Sequence, residues 1–483
     1  MPNPITNRRR WTFLVLALLL VAAACGTSVE VQSGGEPSDE SNATPSPVEA
    51  PTATPEPVAT ATPEPTATPT PLPGQLAVND TDAVGTVGDE LLSLAEAVQL
   101  ANGSLAATDL SVAESELVGG EPGPNIADTI TVVLPEETEI LVPGGDTWII
   151  ELFRNDGDTV VGGDTVLTPA TDELGVGHNV MLIGSAGLTV EGFTFDGVTQ
   201  GIGIESAGRE LDGITIRGNA FRDTLIHDIT VQNSANEGGL SNLVIENNSF
   251  EAPEFRSDLH RFVIVQGGTG VEQQTIEGTF IRNLQISNNA MSAGPGAVST
   301  CVSISGGFVD FAVTAEVKGA SIEGVELTNN SLSGCDTGLL LAGGQVEHTN
   351  ATVTENAITT VTLTNNTFTV GDVAVAVRGG YVEPAPESFQ FTEPVDANLT
   401  ANTVSDISID NTVFSAYNVG ASLVGGEFAV AGTGAAEGNG VSGLSIGAGV
   451  VVDQLGIPCV ESPDEGALAA GNTLEASCAE LGG

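Results

Sequence analysis

The chain has 483 residues with 60 glycines and 4 % aromatics, and sets 12 Lys+Arg against 63 Asp+Glu for a formal net charge of −51. A single lysine leaves phosphate contacts without an electrostatic basis, so nucleic acid is excluded as a partner, and direct binding to anionic lipid surfaces is excluded for the same reason. Disorder throughout is excluded because 41 % hydrophobic residues recur at fixed intervals; the charge favours cations, neutral glycans or basic partners.

Residues 1–24 read as an export signal. Arg8-Arg9-Arg10 precedes an apolar run from Trp11 to Ala24, too short to span a bilayer stably and suited to a signal h-region. Ala22-Ala23-Ala24 before Cys25 resembles the bacterial lipobox, although Ala22 stands where leucine is usual. That resemblance implies cleavage before Cys25, its lipidation, and attachment to a membrane through the N-terminal lipid only, with the chain extracytoplasmic and facing the exterior. Residues 25–75 form a Pro/Thr-rich stalk (PTATPEPVATATPEPTATPTPLPG) with too little apolar surface to fold. Proline biases such a tract to extended polyproline II.

Residues 76–135 read as an N-terminal cap and first strand. In GDELLSLAEAVQLAN (88–102), Ser93-x-x-Glu96 is a capping box, and Leu91, Leu94, Ala95, Val98 and Ala101 share one helical face. The helix can cover the open end of a stack of strands. Further on, Asn155-Asp156-Gly157-Asp158 with Asp164 offers oxygen ligands on a tight turn, which makes calcium a candidate cofactor; the same residues also make an ordinary turn.

From about residue 180 a pattern apolar-x-apolar-x-x-Asn-x-apolar returns as ITIRGNAF (214–221), LVIENNSF (243–250), LQISNNAM (284–291), VELTNNSL (325–332) and VTLTNNTF (361–368). Between these runs a second ladder of alternating strands ends in Gly-Gly: VIVQGG (263–268), VSISGG (302–307), LLLAGG (339–344), VAVRGG (375–380) and ASLVGG (421–426). Two-residue alternation predicts strands, and recurrence predicts that each strand stacks on its counterpart one repeat later. The predicted fold is all-β: a right-handed, single-stranded parallel β-helix of about eight coils over 136–452. Asn219, Asn248, Asn289, Asn330 and Asn366 would tolerate left-handed backbone at one corner and form a side-chain amide ladder. The Gly-Gly pairs would supply positive φ at another corner. Variable stretches after each pair (308–320, 345–360, 381–406 and 427–443) would project from one side as the binding surface.

Scarce chemistry concentrates at 209–261, which holds five of the basic residues after Cys25 and two of the four histidines. Arg222, Asp223, His227 and Asp228 follow the Asn219 turn; Arg256, Asp258, His260 and Arg261 follow the Asn248 turn at similar offsets. Stacked on adjacent coils, they offer acid/base groups or a grip on an anionic sugar, or else ion pairs that house the few cations. Cys459 and Cys478 are expected to pin a C-terminal cap over 453–483, as disulfides persist outside the cytoplasm. Cys301 and Cys335, offset by three residues across successive coils, can also bridge if the strain is tolerable.

The repeats resemble the pectin-lyase-like parallel β-helix superfamily. Leu92-Ser93-Leu94-Ala95-Glu96-Ala97 resembles the Cys-Ser-Leu-Arg-Glu-Ala cap motif of bacterial surface β-helix proteins, with its Cys and Arg replaced. Enzymes of that superfamily imply an Asp cluster with a basic residue, or neighbouring aspartates; here no Asp-Asp pair occurs, and Gly175-Val176-Gly177-His178 lacks the accompanying Arg-x-Lys. The expectation is therefore a lipid-anchored, cell-surface binding or structural module whose partner is a carbohydrate or another surface protein. The alternative is a polysaccharide lyase or glycoside hydrolase using the 222–261 cluster.

Overall fold

The structure, a computed structural model, describes residues 74–481 except 125, 146, 154–155, 171–176, 256–259, 271–273, 311–314, 348, 384–394, 430–431, 454–455, 467 and 479–480. Residues 1–73, on which the expected export signal, lipidated Cys25 and stalk rest, lie outside the described residues.

The fold is the expected right-handed parallel β-helix. The five repeat motifs pile directly on one another: Thr215 pairs with Val244, Val244 with Gln285, Gln285 with Glu326, and Glu326 with Thr362. We call this sheet the first face. The second face carries the residues after the asparagines, such as Phe221, Phe250 and Met291. The third carries the Gly-Gly strands, with Val263 on Val302, Leu339, Val375 and Ala421 in turn. Alternation puts Leu284, Ile286, Met291 and their counterparts into one continuous core.

The rod is longer than the eight coils expected. First-face strands begin at Gln75–Val78, Thr129–Val132 and Thr159–Pro169, before the asparagine motif becomes recognisable. At the other end Ile457 pairs with Val419 and Thr473 with Gly440, so coiling continues past 452 into the stretch expected to be a plain cap. Ten third-face strands stack from Trp148–Leu152 to Ile457–Glu465. At one 4.8 Å strand spacing per coil the rod is about 50 Å long.

The asparagine ladder is present, but its parts divide the labour differently from the expectation. Each buried asparagine donates its backbone N–H to the next Oδ1: Asn219 to Asn248 at 2.9 Å, and Asn248, Asn289 and Asn330 onward at 3.0 Å. Each Nδ2 turns to a carbonyl of the preceding coil, as Asn289 does to Ile245 at 2.9 Å. The left-handed conformation belongs to the residue before: Asn247, Asn288, Asn329 and Asn365 have φ of 55–57°. Asparagine tolerates that region better than most L-residues.

The Gly-Gly pairs do not supply positive φ, because none of these ten glycines adopts it. They serve close approach. A Cβ on Gly307 or Gly344 would sit 2.6 Å from the Cγ of Asn356 or Asn402, and one on Gly380 2.7 Å from that of Asn439. Those asparagines form a second ladder that the repeat motif did not reveal. Asn356 donates from backbone N–H to Asn402, Asn402 to Asn439 and Asn439 to Asn472, at 3.1, 3.0 and 2.8 Å. Asp464 ends it by accepting from Asn472. After each Gly-Gly the chain runs on in register, then returns as a small parallel sheet (Thr275–Glu277 through Ala469–Ala470). Val309, Val346, Val382 and Phe428 pack with Val317, Val353 and Leu399 into a second core. The stretches expected to be projecting loops are thus partly strand.

The capping helix spans Leu94–Ala101, with Glu96 N–H donating to Ser93 Oγ at 3.2 Å and Ser93 N–H to the Glu96 carboxylate at 2.9 Å. Leu94, Ala95, Val98 and Ala101 are buried; Leu91 lies before the helix and is exposed. Cys301–Cys335 and Cys459–Cys478 are both disulfides, with Cα–Cα separations of 5.6 and 5.7 Å. Among the described residues no helix is long and apolar enough to cross a membrane.

Candidate functional site: the outer side of the third face

The 222–261 residues do not converge. Arg222 is exposed on the second face, and Asp223 holds a left-handed turn with φ 50°. Arg256 and Asp258 lie outside the described residues. Between His227 and Ile229 the strand places Asp228 inward, and on the next coil His260 also lies inside. His260 Nε2 stands 3.6 Å from Asp228 Oδ1, both essentially without solvent exposure. Burial raises the Asp228 pKa, with His260 and the Thr224 hydroxyl partly offsetting it. This pair is sealed in the core beside Phe262 and has no route to a polymeric substrate.

His227 and Arg261 are register partners on the outer side. Burial first, then the Arg261 charge, lowers the His227 pKa to about 3, so its ring is neutral at physiological pH. Arg261 reaches along the rod to Glu347, and to Glu383 at 3.2 Å. Gln345 Nε2 joins the same two carboxylates at 3.3 and 2.7 Å, while its Oε1 accepts from Ser305 at 2.5 Å. Burial alone would lower the Arg261 pKa; Glu347 and Glu383 more than offset it and raise it. Glu383 is pushed up to about 7 by burial and by Glu347, against the opposing pull of Arg261. Burial also raises Glu347. On the strand that carries Glu383, Arg378 pairs with Glu427 of the next coil.

Gly-Gly explains why these groups meet. Without Cβ atoms the strand folds inward, and residues on either side of the pair approach across its outer surface; Thr269 Oγ1, for instance, donates to Gln266 Oε1 at 2.8 Å. The result is a crease in which Arg261, Gln345, Glu347 and Glu383 bond one another, while Arg261 Nε and His227 Nδ1 are buried without a hydrogen-bond partner among the described residues. A hollow of about 70 Å³ there is bordered by His227, Arg261, Gln266, Phe308, Asp310 and Glu347. It has room for water and none for a sugar ring. Sequence reasoning found Arg261 and missed Glu347 and Glu383, because the partners lie 86 and 122 residues away.

A larger groove of about 660 Å³ opens on the same outer side at the N-terminal end, between the capping helix and Trp148–Leu152. Trp148 occupies the register row of His227 and Arg261, through Asn179 and Gln200. Its indole leans over Gly203, where a Cβ would stand 2.6 Å from the ring. Phe153 lies over Gly184 likewise. Gln99, Asn102, Ser104 and Glu151 supply polar groups to the groove. Sequence reasoning passed over this site; the available signal was that Trp148 is one of only two tryptophans, the other being Trp11.

The calcium expectation is not met by Asp156, Asp158 and Asp164. Asp158 Oδ1 accepts the Asp128 N–H at 2.7 Å and Asp156 Oδ1 that of Ala186 at 3.1 Å, both clamping neighbouring coils. Asp164 is an exposed left-handed turn residue. Among the described residues, the one group of metal-ligating side chains at ligand spacing is Cys459, Glu461 and Cys478, whose sulfurs are joined in a disulfide.

These features define a parallel β-helix with a hollowed outer third face. No family model matches the chain, and no curated protein matches it. Among solved structures it is similar to the endo-xylogalacturonan hydrolase of Aspergillus tubingensis (16 % identity, 73 % of this chain and 92 % of that one, TM-score 0.34). It is also similar to PfbA, a surface adhesin of Streptococcus pneumoniae (11 %, 81 % and 92 %, TM-score 0.34), and to the A-module of the mannuronan C-5 epimerase AlgE4 of Azotobacter vinelandii (13 %, 79 % and 98 %, TM-score 0.27). The set mixes enzymes with an adhesin, and it does not decide between catalysis and binding.

Proposed function

We propose that the chain is a lipid-anchored, cell-surface β-helix that binds carbohydrate on the outer side of its third face. The observation that carries this reading is the groove of about 660 Å³ that opens on that side beside Trp148, which shares a register row with His227 and Arg261. The basic leader, the apolar run and Cys25 support the anchor, and the Pro/Thr stalk supports display away from the membrane. The crease groups are committed to one another, which supports a scaffold role for them. The test is a glycan array probed with the detergent-solubilised full chain, beside a Cys25→Ser variant. Saturable binding to some glycans, and loss of detergent-phase partitioning in Cys25→Ser, support the reading. Uniform absence of binding removes the carbohydrate role, and unchanged partitioning removes the anchor.

A second reading, a polysaccharide lyase or glycoside hydrolase, is favoured by Glu383, a carboxyl near neutrality beside a second carboxyl and an arginine. Release of reducing ends, or absorbance at 235 nm, abolished in Glu383→Gln, would establish it. No turnover on a broad polysaccharide panel would dispose of it.

A further inference from the structure

We infer that the N-terminal groove is a subsite for a neutral pyranose chain, with Trp148 as its stacking platform; the inference rests on the carbohydrate-binding reading above. Four observations carry it. First, an indole and a phenyl ring border one open groove of about 660 Å³, within the range of roughly 300–1,000 Å³ that suits a small ligand. Aromatics are only 4 % of this chain, so the pairing is a costly use of scarce side chains. The free side of a partly exposed indole matches the C–H face of a pyranose, apolar in the middle and polar at its rim.

Second, the polar groups around the rings are of the kind that read sugar hydroxyls. Gln99 and Ser104 are exposed on the helix side, and Asn102 joins helix to strand by donating Nδ2 to the Glu151 carbonyl at 2.9 Å. Third, one amide oxygen of a groove-lining residue, Oδ1 of Asn102, is buried without a protein donor among the described residues. A buried acceptor left without a donor carries a desolvation penalty, which a small turn of the amide toward a ligand hydroxyl would relieve.

Fourth, the charge selects the class. Among the described residues that line the groove, Glu151 is the sole charged one, and Arg209 beside Phe153 is engaged with the Phe153 and Gly184 carbonyls. No described lining residue pairs with a uronate or sulfate, and a net charge of −51 repels a polyanion before it arrives. A neutral chain meets neither obstacle.

The test uses the full chain in a Trp11→Phe background, so that emission reports Trp148 alone. Neutral hexasaccharides of glucose, mannose and xylose, and a galacturonate hexamer as the anionic probe, are titrated against it. The expected result is a saturable change in emission with at least one neutral hexamer and none with the galacturonate. Trp148→Ala should weaken binding about 10-fold or more, read by calorimetry. Exposed Gln99→Ala should weaken it about threefold at an unchanged melting temperature. If Trp148→Ala does not fold, Trp148→Phe and Gln99→Ala decide in its place. Neutral-glycan binding that both groove variants leave intact overturns the subsite and leaves the broader reading standing, as does a preference for the galacturonate. An emission shift on deleting residues 51–73 without ligand also overturns it, because the proline-rich stalk would then be the occupant. Failure of every glycan to bind the full chain removes the broader reading together with the subsite.

Discussion

Asn289→Ala and Asn288→Gly alter adjacent residues and should have opposite consequences. Asn289 Oδ1 accepts the buried Asn248 N–H at 3.0 Å, and its Nδ2 donates to the Ile245 carbonyl at 2.9 Å. Alanine strands both partners inside the rod. Each orphaned buried group costs about 1–3 kcal/mol, so the loss is about 4 kcal/mol. Asn288 instead holds φ 55° at the exposed corner, where its Oδ1 accepts from Asn329 at 3.3 Å. Glycine relieves the left-handed strain there and gives up one solvent-exposed bond, for a net change within about 1 kcal/mol. Urea titrations followed by far-ultraviolet circular dichroism measure both, provided the m-values match wild type. Equal losses in the two variants, or a loss below about 1 kcal/mol for Asn289→Ala, would refute the assignment of ladder and corner to different residues.

Four further outcomes follow from the packing. Gly344→Ala forces a Cβ to 2.6 Å from Asn402 Cγ and should cost more than about 2 kcal/mol by thermal melt, whereas Gly319→Ala, with open space around it and φ +64°, should cost about 1 kcal/mol. Glu383 is held at about 7, above its ordinary value of 4.5, so the folded chain binds the extra proton between those values and stability falls as pH rises through them; Glu383→Gln should flatten that fall. His227, lowered to about 3 from 6.5, acts in the opposite sense, and His227→Gln should remove a gain in stability as pH rises from about 3 to 6.5. Cys301 and Cys335 are fully buried while Cys459 is partly exposed, so native-state reduction and alkylation read by mass spectrometry should label 459 and 478 first.

The repeating asparagine and Gly-Gly signatures made the coil register legible, because stacked strands must repeat their inward residues. The early coils were illegible for the converse reason. At 129–132 and 159–161 the strands pair in register, but Gly and Thr replace the asparagine motif, so no period announces them. The second ladder was hidden because Asn356, Asn402, Asn439 and Asn472 sit in dissimilar flanking sequence and are defined by what faces them, namely Gly307, Gly344, Gly380 and Gly426. The candidate site was the least legible part. Similar offsets after Asn219 and Asn248 suggested that the two groups stack as sets; His227 does pair with Arg261, but a local shift in alternation sent Asp228 and His260 inward. The groups that hold Arg261 came from coils two and three turns away. Trp148 meets the capping helix only because the third face begins beneath that helix.

Hydrogen–deuterium exchange of the full chain with and without saturating neutral hexasaccharide addresses the carbohydrate role most directly. Binding at the N-terminal groove should slow exchange at 94–104 and 148–153 together, two segments far apart in sequence that form its walls. Unchanged exchange at both, under conditions where the sugar is demonstrably bound, would contradict the account.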